Sequence, residues 1–386
     1  MVPLVCSRAL ELVVAHSGLW IKVQVSMSAE HEQVDLVDRI ASILRRIGTF
    51  WLSRPYYQQV ALVLVILLAK NAFDIELRNI QEAYLPGAQE FPTAVGYFSG
   101  SYGQVVIAAA LGISTTTQWV ILHVILIAIA LTTAFWLVGR RDAPSRSFLI
   151  LALAAATATS SLFVSIGKYD VITYLGAVIL ALSRSLPAAT LGALIMASGN
   201  PAQSIVASLA LLILTLAHEF RDLRRRAVAA LVATTLTWLV VQLWFNVSGM
   251  SVSRVTLLPE YLAESLARVF AYPGAAIWSW LGAGWLLALT AVFACKVSSR
   301  IWLLLAVVAI PGAVTVITAD GARVFGLVVL PAYLVVMIWL ERCALREPKV
   351  RELALGMLLI GVAILPSAAQ GPGWLFSQIL VALGRI

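Results

Sequence analysis

Residues 56–102 read YYQQVALVLVILLAKNAFDIELRNIQEAYLPGAQEFPTAVGYFSGSY, and the change of character at position 74 decides how the rest of the chain is read. Up to Phe73 the run is strongly apolar, as a membrane span requires. From Asp74 to Tyr102 it reads as a loop carrying Asp74, Glu76, Arg78, Glu82 and Glu90, in a chain that otherwise avoids charge. The first acids of that loop therefore sit at a membrane surface.

Composition extends this reading to the whole molecule. The chain of 386 residues is 61% hydrophobic and 12% charged, with a mean hydropathy of +0.93. One soluble core does not hide that much apolar surface, so the expected fold class is an all-α, polytopic integral membrane protein. A net charge of +8 and a pI near 9.6 would suit nucleic acid, but the cations fall in short clusters between apolar runs, which is a topology signal. No nucleic-acid partner is expected. Cys6, Cys295 and Cys343 follow no metal-ligand spacing and imply no disulfide framework.

The apolar runs give about eleven membrane segments. They lie near 56–73, 117–138, 147–165, 171–183, 187–199, 202–218, 227–246, 272–295, 301–318, 325–341 and 353–368. Several middle ones fall short of the roughly 20 residues that a perpendicular span needs. Asn200-Pro201 reads either as an outer loop or as a re-entrant break.

Orientation follows from the arginines and lysines. Arg45, Arg46 and Arg54 precede the first span; Arg140, Arg141 and Arg146 follow the second; Arg221, Arg224, Arg225 and Arg226 follow the sixth. Lys296 and Arg300 follow the eighth, and Arg342, Arg346, Lys349 and Arg351 the tenth. With eleven spans all these clusters share one side, which the positive-inside rule makes cytoplasmic. The N-terminus is then inside and the C-terminus outside, in the cell inner (plasma) membrane.

Residues 1–55 are expected as a cytoplasmic segment and 56–386 as the transmembrane domain, with an outer loop over 74–116. The first 26 residues lack the pattern of a signal peptide, and Met27 is a candidate start. Between Val34 and Phe50 the apolar residues Leu36, Val37, Ile40, Ile43, Leu44 and Ile47 recur at helical spacing against Asp35, Asp38, Arg39, Arg45 and Arg46. That pattern gives an amphipathic helix, either on the inner membrane surface or as a plain cytoplasmic tail.

On this topology the outer face collects ionisable residues from three places. Asp74, Glu76 and Arg78 follow span one; Lys168 and Asp170 stand in Gly167-Lys168-Tyr169-Asp170; Asp320 and Arg323 stand in Asp320-Gly321-Ala322-Arg323. Charge at membrane depth is costly and usually serves a purpose. A cavity with both signs suits a phosphate-bearing substrate and a group to be deprotonated. The plainer alternative makes Lys168/Asp170 and Asp320/Arg323 ion pairs within their own tight turns. His123 reads as a hydrogen-bonded packing residue, and His218 beside Glu219 as an interfacial pair. Walker A, HExxH, nucleophile-elbow and dinucleotide motifs are absent from the sequence.

One span, a long outer loop opening on an acid, an aromatic and glycine stretch (Tyr97–Gly103), a short apolar helix (Gln104–Gly112) and a second span resemble the start of the GT-C superfamily of polytopic membrane glycosyltransferases. The turn opening Ser165–Leu182 is similar to a cavity-facing turn of its mannosyltransferase-like members. The resemblance covers roughly residues 56–200. It implies transfer of a sugar from a polyprenyl-phosphate donor to a cell-envelope glycan or lipid acceptor. It also implies a catalytic carboxylate at Asp74, with Glu76 as second choice, and Lys168, Asp170, Asp320, Arg323 and Arg78 as substrate-binding residues. Asp74-Ile75-Glu76 replaces the paired Asp-X-Asp of many members, so no metal ligands are assigned and a divalent metal stays open. The chain also lacks a sizeable C-terminal soluble domain. Two rival readings stand beside it: an integral-membrane polysaccharide polymerase, and a secondary transporter or flippase of lipid-linked substrates.

Overall fold

In the computed structural model the described residues are 27–71, 75, 77–91, 102–164, 166–168, 170–247, 273–316 and 321–364, with a few positions between 262 and 270; side chains are described from Asp38 onward. Among them there is no strand, and the protein is built of helices. The single extended contact is an isolated parallel bridge between Ile75 and Ile166.

In chain order the helices are α1 (Met27–Ser53), α2 (Tyr56–Lys70), α3 (Leu77–Asn79), α4 (Leu85–Gln89), α5 (Tyr102–Ala110), α6 (Thr116–Gly139), α7 (Ala143–Ala155), α8 (Thr157–Val164) and α9 (Asp170–Leu182). They continue as α10 (Leu186–Gly199), α11 (Pro201–Leu214), α12 (Arg224–Val247), α13 (Pro273–Leu281), α14 (Gly284–Ala294), α15 (Val297–Leu304), α16 (Ile310–Val316), α17 (Gly321–Cys343) and α18 (Pro348–Ile364). Among the described residues the apolar runs read from the sequence fall largely on helix, with breaks at Ala156 and Gly282–Ala283. By length and hydropathy 4 helices, or up to 6 if each bent pair is one span, suffice to cross a membrane. The protein is thus a helical membrane protein.

Local sequence sets the helix ends. Thr115 and Gln118 form a reciprocal capping box at the start of α6, and Asp142, Ser185 and Asn200 cap α7, α10 and α11 ahead of Pro144, Pro187 and Pro201. Each cap satisfies an amide that the first turn leaves unbonded, and proline there loses nothing because its missing N–H has no partner in that turn. The connection from α10 to α11 is the single residue Asn200, which is buried.

Helix α17 is the centre of the bundle, with 89% of its most apolar 18-residue window buried. Around it the helices approach at glycines. A Cβ on Gly176 of α9 would lie 2.1 Å from the backbone nitrogen of Met196 in α10, and one on Gly192 would lie 2.5 Å from that of Leu180. Where lipid and side chain are equally apolar, helices hold together by such close packing.

The 74–102 region, expected as a loop, is helical from Leu77 to Gln89 through α3, a π turn over Ile80–Tyr84 and α4. Its periodicity explains why. Ile80, Tyr84 and Ala88 recur every fourth residue and bury a stripe with Val105, Ala108, Trp119 and Leu122, while Arg78 and Glu82 pair on the exposed side.

The stretch expected as an amphipathic helix is part of α1, and its protein neighbour is α18. A Cβ on Gly48 would lie 1.9 Å from the Glu352 carbonyl oxygen, and one on Gly356 would lie 2.0 Å from that of Leu44, so the two helices run antiparallel in contact. Between α1 and α2 the chain turns by 120°. Gln59 locks that elbow by donating to the Trp51 carbonyl, while the Trp51 indole donates to the Ser147 carbonyl of α7.

Candidate functional site

Asp170 opens α9 and Arg323 lies in the first turn of α17. Arg323 Nη1 donates to Asp170 Oδ2 at 2.5 Å, with side chains 11% and 4% exposed. Arg323 thus reaches a carboxylate 153 positions earlier, beyond its own turn, while Asp320 lies outside the described residues. Helix α17 is central and α9 packs on it, so the bundle itself carries the two ends together.

The preceding turn is fixed from the other side. Gly167 has φ +106, a conformation that glycine adopts at no cost. A Cβ there would lie 2.6 Å from Ile80 Cδ1. Its carbonyl accepts from Trp119 Nε1 at 3.0 Å, and the Trp119 ring stacks on Tyr84 with centroids 5.7 Å apart. Lys168 is half-buried in the same turn. The backbone bridge from Ile166 to Ile75 then brings in the segment after α2. Asp74, Glu76 and Asp320 themselves lie outside the described residues. The described portions of the three segments expected on one membrane face thus meet at one end of the bundle. Arg78 is not gathered in: its side chain is 85% exposed and pairs with Glu82.

Beside the ion pair stand polar residues that charge patterning could not reveal. Asp170 Oδ1, Thr173 Oγ1 and Asn200 Nδ2 are buried and have no hydrogen-bond partner among the described residues. Asp170 and Thr173 are three apart on α9 and share a helix face. Gly199 brings the Asn200 turn against that face, since a Cβ on it would lie 2.4 Å from Thr173 Oγ1. Buried polar atoms normally find partners, so a cluster lacking them marks a place for water or a polar ligand. Asn200-Pro201 is visible in the sequence as a break; Thr173 carries no such signal.

Further along the same end, Gln104 Nε2 and His123 Nδ1 lie 3.0 Å apart in the interior, which gives His123 the packing role its isolation suggests. His218 and Glu219 belong to the arginine-rich end, where the His218 backbone N–H donates to Ser299 Oγ and Glu219 Oε1 accepts from the Lys296 backbone N–H. Among the described residues no three of His, Cys, Asp and Glu are grouped as a metal site would need.

Compared with family models, curated proteins and solved structures, the chain matches none. Chemically, the site offers a guanidinium oriented by a buried carboxylate, a lysine in the preceding turn, and a nearby buried hydroxyl and amide that lack partners among the described residues. That set suits an anionic group with hydroxyl-bearing neighbours, as in a sugar phosphate.

Proposed function

We infer that this protein is a membrane glycosyltransferase that moves a sugar from a polyprenyl-phosphate donor to a cell-envelope glycan or lipid acceptor. It does so at the outer face of the inner (plasma) membrane. In this reading the chain crosses eleven times, with the N-terminus in the cytoplasm and the C-terminus outside. The observation that carries it is the meeting of three outer segments, through the Ile75–Ile166 bridge and the Asp170–Arg323 pair, at the end of the bundle away from the arginine clusters.

The chemistry is a single displacement. The acceptor hydroxyl oxygen attacks the anomeric carbon, the bond from that carbon to the phosphate oxygen breaks, and Asp74, with Glu76 as second choice, takes the hydroxyl proton. Arg323 and Lys168 stabilise the charge that gathers on the departing polyprenyl phosphate. Asp170 positions Arg323, and Asp320 is a further substrate-binding residue in this reading. Inversion at the anomeric carbon follows.

The test uses membranes containing the full chain and a radiolabelled polyprenyl-phosphate sugar. Asp74→Asn is expected to abolish transfer while Glu90→Gln leaves it intact. Transfer undiminished in both Asp74→Asn and Glu76→Gln removes the reading.

One observation favours a second reading. Helices α10 and α11 are each 14 residues long and meet at buried Asn200. Transporters build midplane sites from such broken helices. A flippase of lipid-linked substrates would move the labelled lipid across sealed vesicles with no acceptor present, which a transferase does not.

A further inference from the structure

At the end of the bundle opposite the Asp170–Arg323 pair, α1 and the first turn of α18 border an open groove of about 550 Å³ lined by Ser42, Arg45, Arg46, Thr49, Phe50, Ser53, Lys349 and Glu352. Helix α17 separates the two places. Arg323 lies near its start, Arg342 near its end, and α18 begins five residues beyond its last residue. At 1.5 Å per residue that helix is about 35 Å long, the thickness of a bilayer's hydrocarbon core.

Three cations line this groove against one carboxylate. Among the described residues Arg45, Arg46 and Lys349 take part in no ion pair; Arg45 Nε donates to the Ala41 carbonyl of its own helix. Their charge is therefore not neutralised by the protein. Hydroxyls from Ser42, Thr49 and Ser53 stand along the same face of α1, at successive spacings of seven and four that stack them on one helical side.

The same helix exposes apolar side chains. Ile40, Ile43 and Phe50 are 49%, 56% and 48% exposed, and the Arg54 guanidinium sits 4.1 Å from the Phe50 ring centroid. A free phosphate would use the cations and leave these side chains uncovered, whereas a phospholipid uses both. Its headgroup phosphate meets the guanidinium and ammonium groups, and its acyl chains cover Ile40, Ile43 and Phe50. Cations at the cytoplasmic boundary beside exposed apolar residues are how membrane proteins hold anionic lipid.

We propose that the groove between α1 and α18 is a binding site for an anionic phospholipid of the inner leaflet. The lipid phosphate sits among Arg45, Arg46 and Lys349, and the bound lipid clamps α1 onto α18. The site is independent of the transfer reaction; it rests on the placement of the arginine clusters in the cytoplasmic leaflet.

The test uses the full chain in neutral detergent, titrated with phosphatidylglycerol, phosphatidylcholine and inorganic phosphate and read by native mass spectrometry. Phosphatidylglycerol is expected to bind at least tenfold tighter than phosphatidylcholine and to resist millimolar phosphate. Arg46→Gln and Lys349→Gln should each weaken it about fivefold, from roughly 1 kcal/mol per cation near a membrane surface. Glu352→Gln should tighten binding, a gain that misfolding does not imitate. Arg224→Gln with Arg225→Gln, two exposed cations on α12, should change nothing. Equal affinity for the two lipids, equal loss in the α12 variant, or displacement by phosphate alone each overturns the proposal.

Discussion

Arg323 and Asp170 are 153 positions apart in sequence, yet Nη1 of one donates to Oδ2 of the other at 2.5 Å inside the bundle. Neither side chain has more than a small remnant of solvent contact. The pair is therefore unlike a surface ion pair, whose contribution water and salt reduce.

Removing one partner breaks a buried, hydrogen-bonded charge pair. Asp170→Asn and Arg323→Gln should each destabilise the protein by about 3–5 kcal/mol, and the double variant should lose much less than their sum. Reversible unfolding in mixed micelles measures the coupling. Additive losses would show that the two side chains act separately.

Thr173 gives the opposite expectation. Its hydroxyl has no partner among the described residues, so Thr173→Val should leave stability within about 0.5 kcal/mol of the parent, because no existing hydrogen bond is broken. Sugar transfer by the same variant should fall about tenfold if a ligand hydroxyl uses that position. A variant that transfers normally places the ligand elsewhere.

Glycine substitutions separate packing from conformation. Gly176→Ala forces a Cβ to 2.1 Å from the Met196 nitrogen, and should cost about 1–3 kcal/mol through overpacking of α9 on α10. Gly167→Ala adds positive-φ strain to a clash with Ile80 and should be at least as damaging. Gly87 has nothing within 4 Å of the added carbon, so Gly87→Ala should be neutral or stabilise by up to about 1 kcal/mol. Melting temperatures in one detergent rank the three.

The Asp142 cap carries a pH signature. Partial burial alone would raise its carboxyl, but hydrogen bonds from the Ser145 hydroxyl and backbone N–H, with Arg342 nearby, hold it below the ordinary 3.8. A carboxyl lowered by folding stabilises the folded form above the unfolded pKa and loses that contribution as pH falls through the folded value. Asp142→Ala should therefore cost about 1 kcal/mol at neutral pH. The difference from the parent should shrink as pH falls below about 4 and through the lowered folded value, beneath which both proteins lack the charged cap. Paired unfolding curves at pH 7 and pH 3 check the sign.

How much of this was legible beforehand depended on range. Apolar runs and caps are local, so among the described residues the apolar runs fall largely on helix, although 147–165 and 272–295, each read as one segment, are each broken into two helices. The helical content of 77–89 was legible in principle, since Ile80, Tyr84 and Ala88 keep a four-residue spacing, but the density of charge around them read as loop. That Arg323 reaches Asp170 was not legible, because Asp320 in its own turn is the nearer carboxylate along the chain.

The sequence alone therefore determined the class of molecule, a helical membrane protein, because burying that much apolar surface is a matter of composition, and it named the ionisable residues that a membrane would not tolerate without cause. Only the tertiary structure decided that Asp170 pairs with Arg323, that α1 runs along α18, and that the Gly199-Asn200 turn packs on Thr173. Those relationships are set by which glycines let backbones touch around α17. Such contacts depend on how whole helices pack, a property that no local window of residues contains.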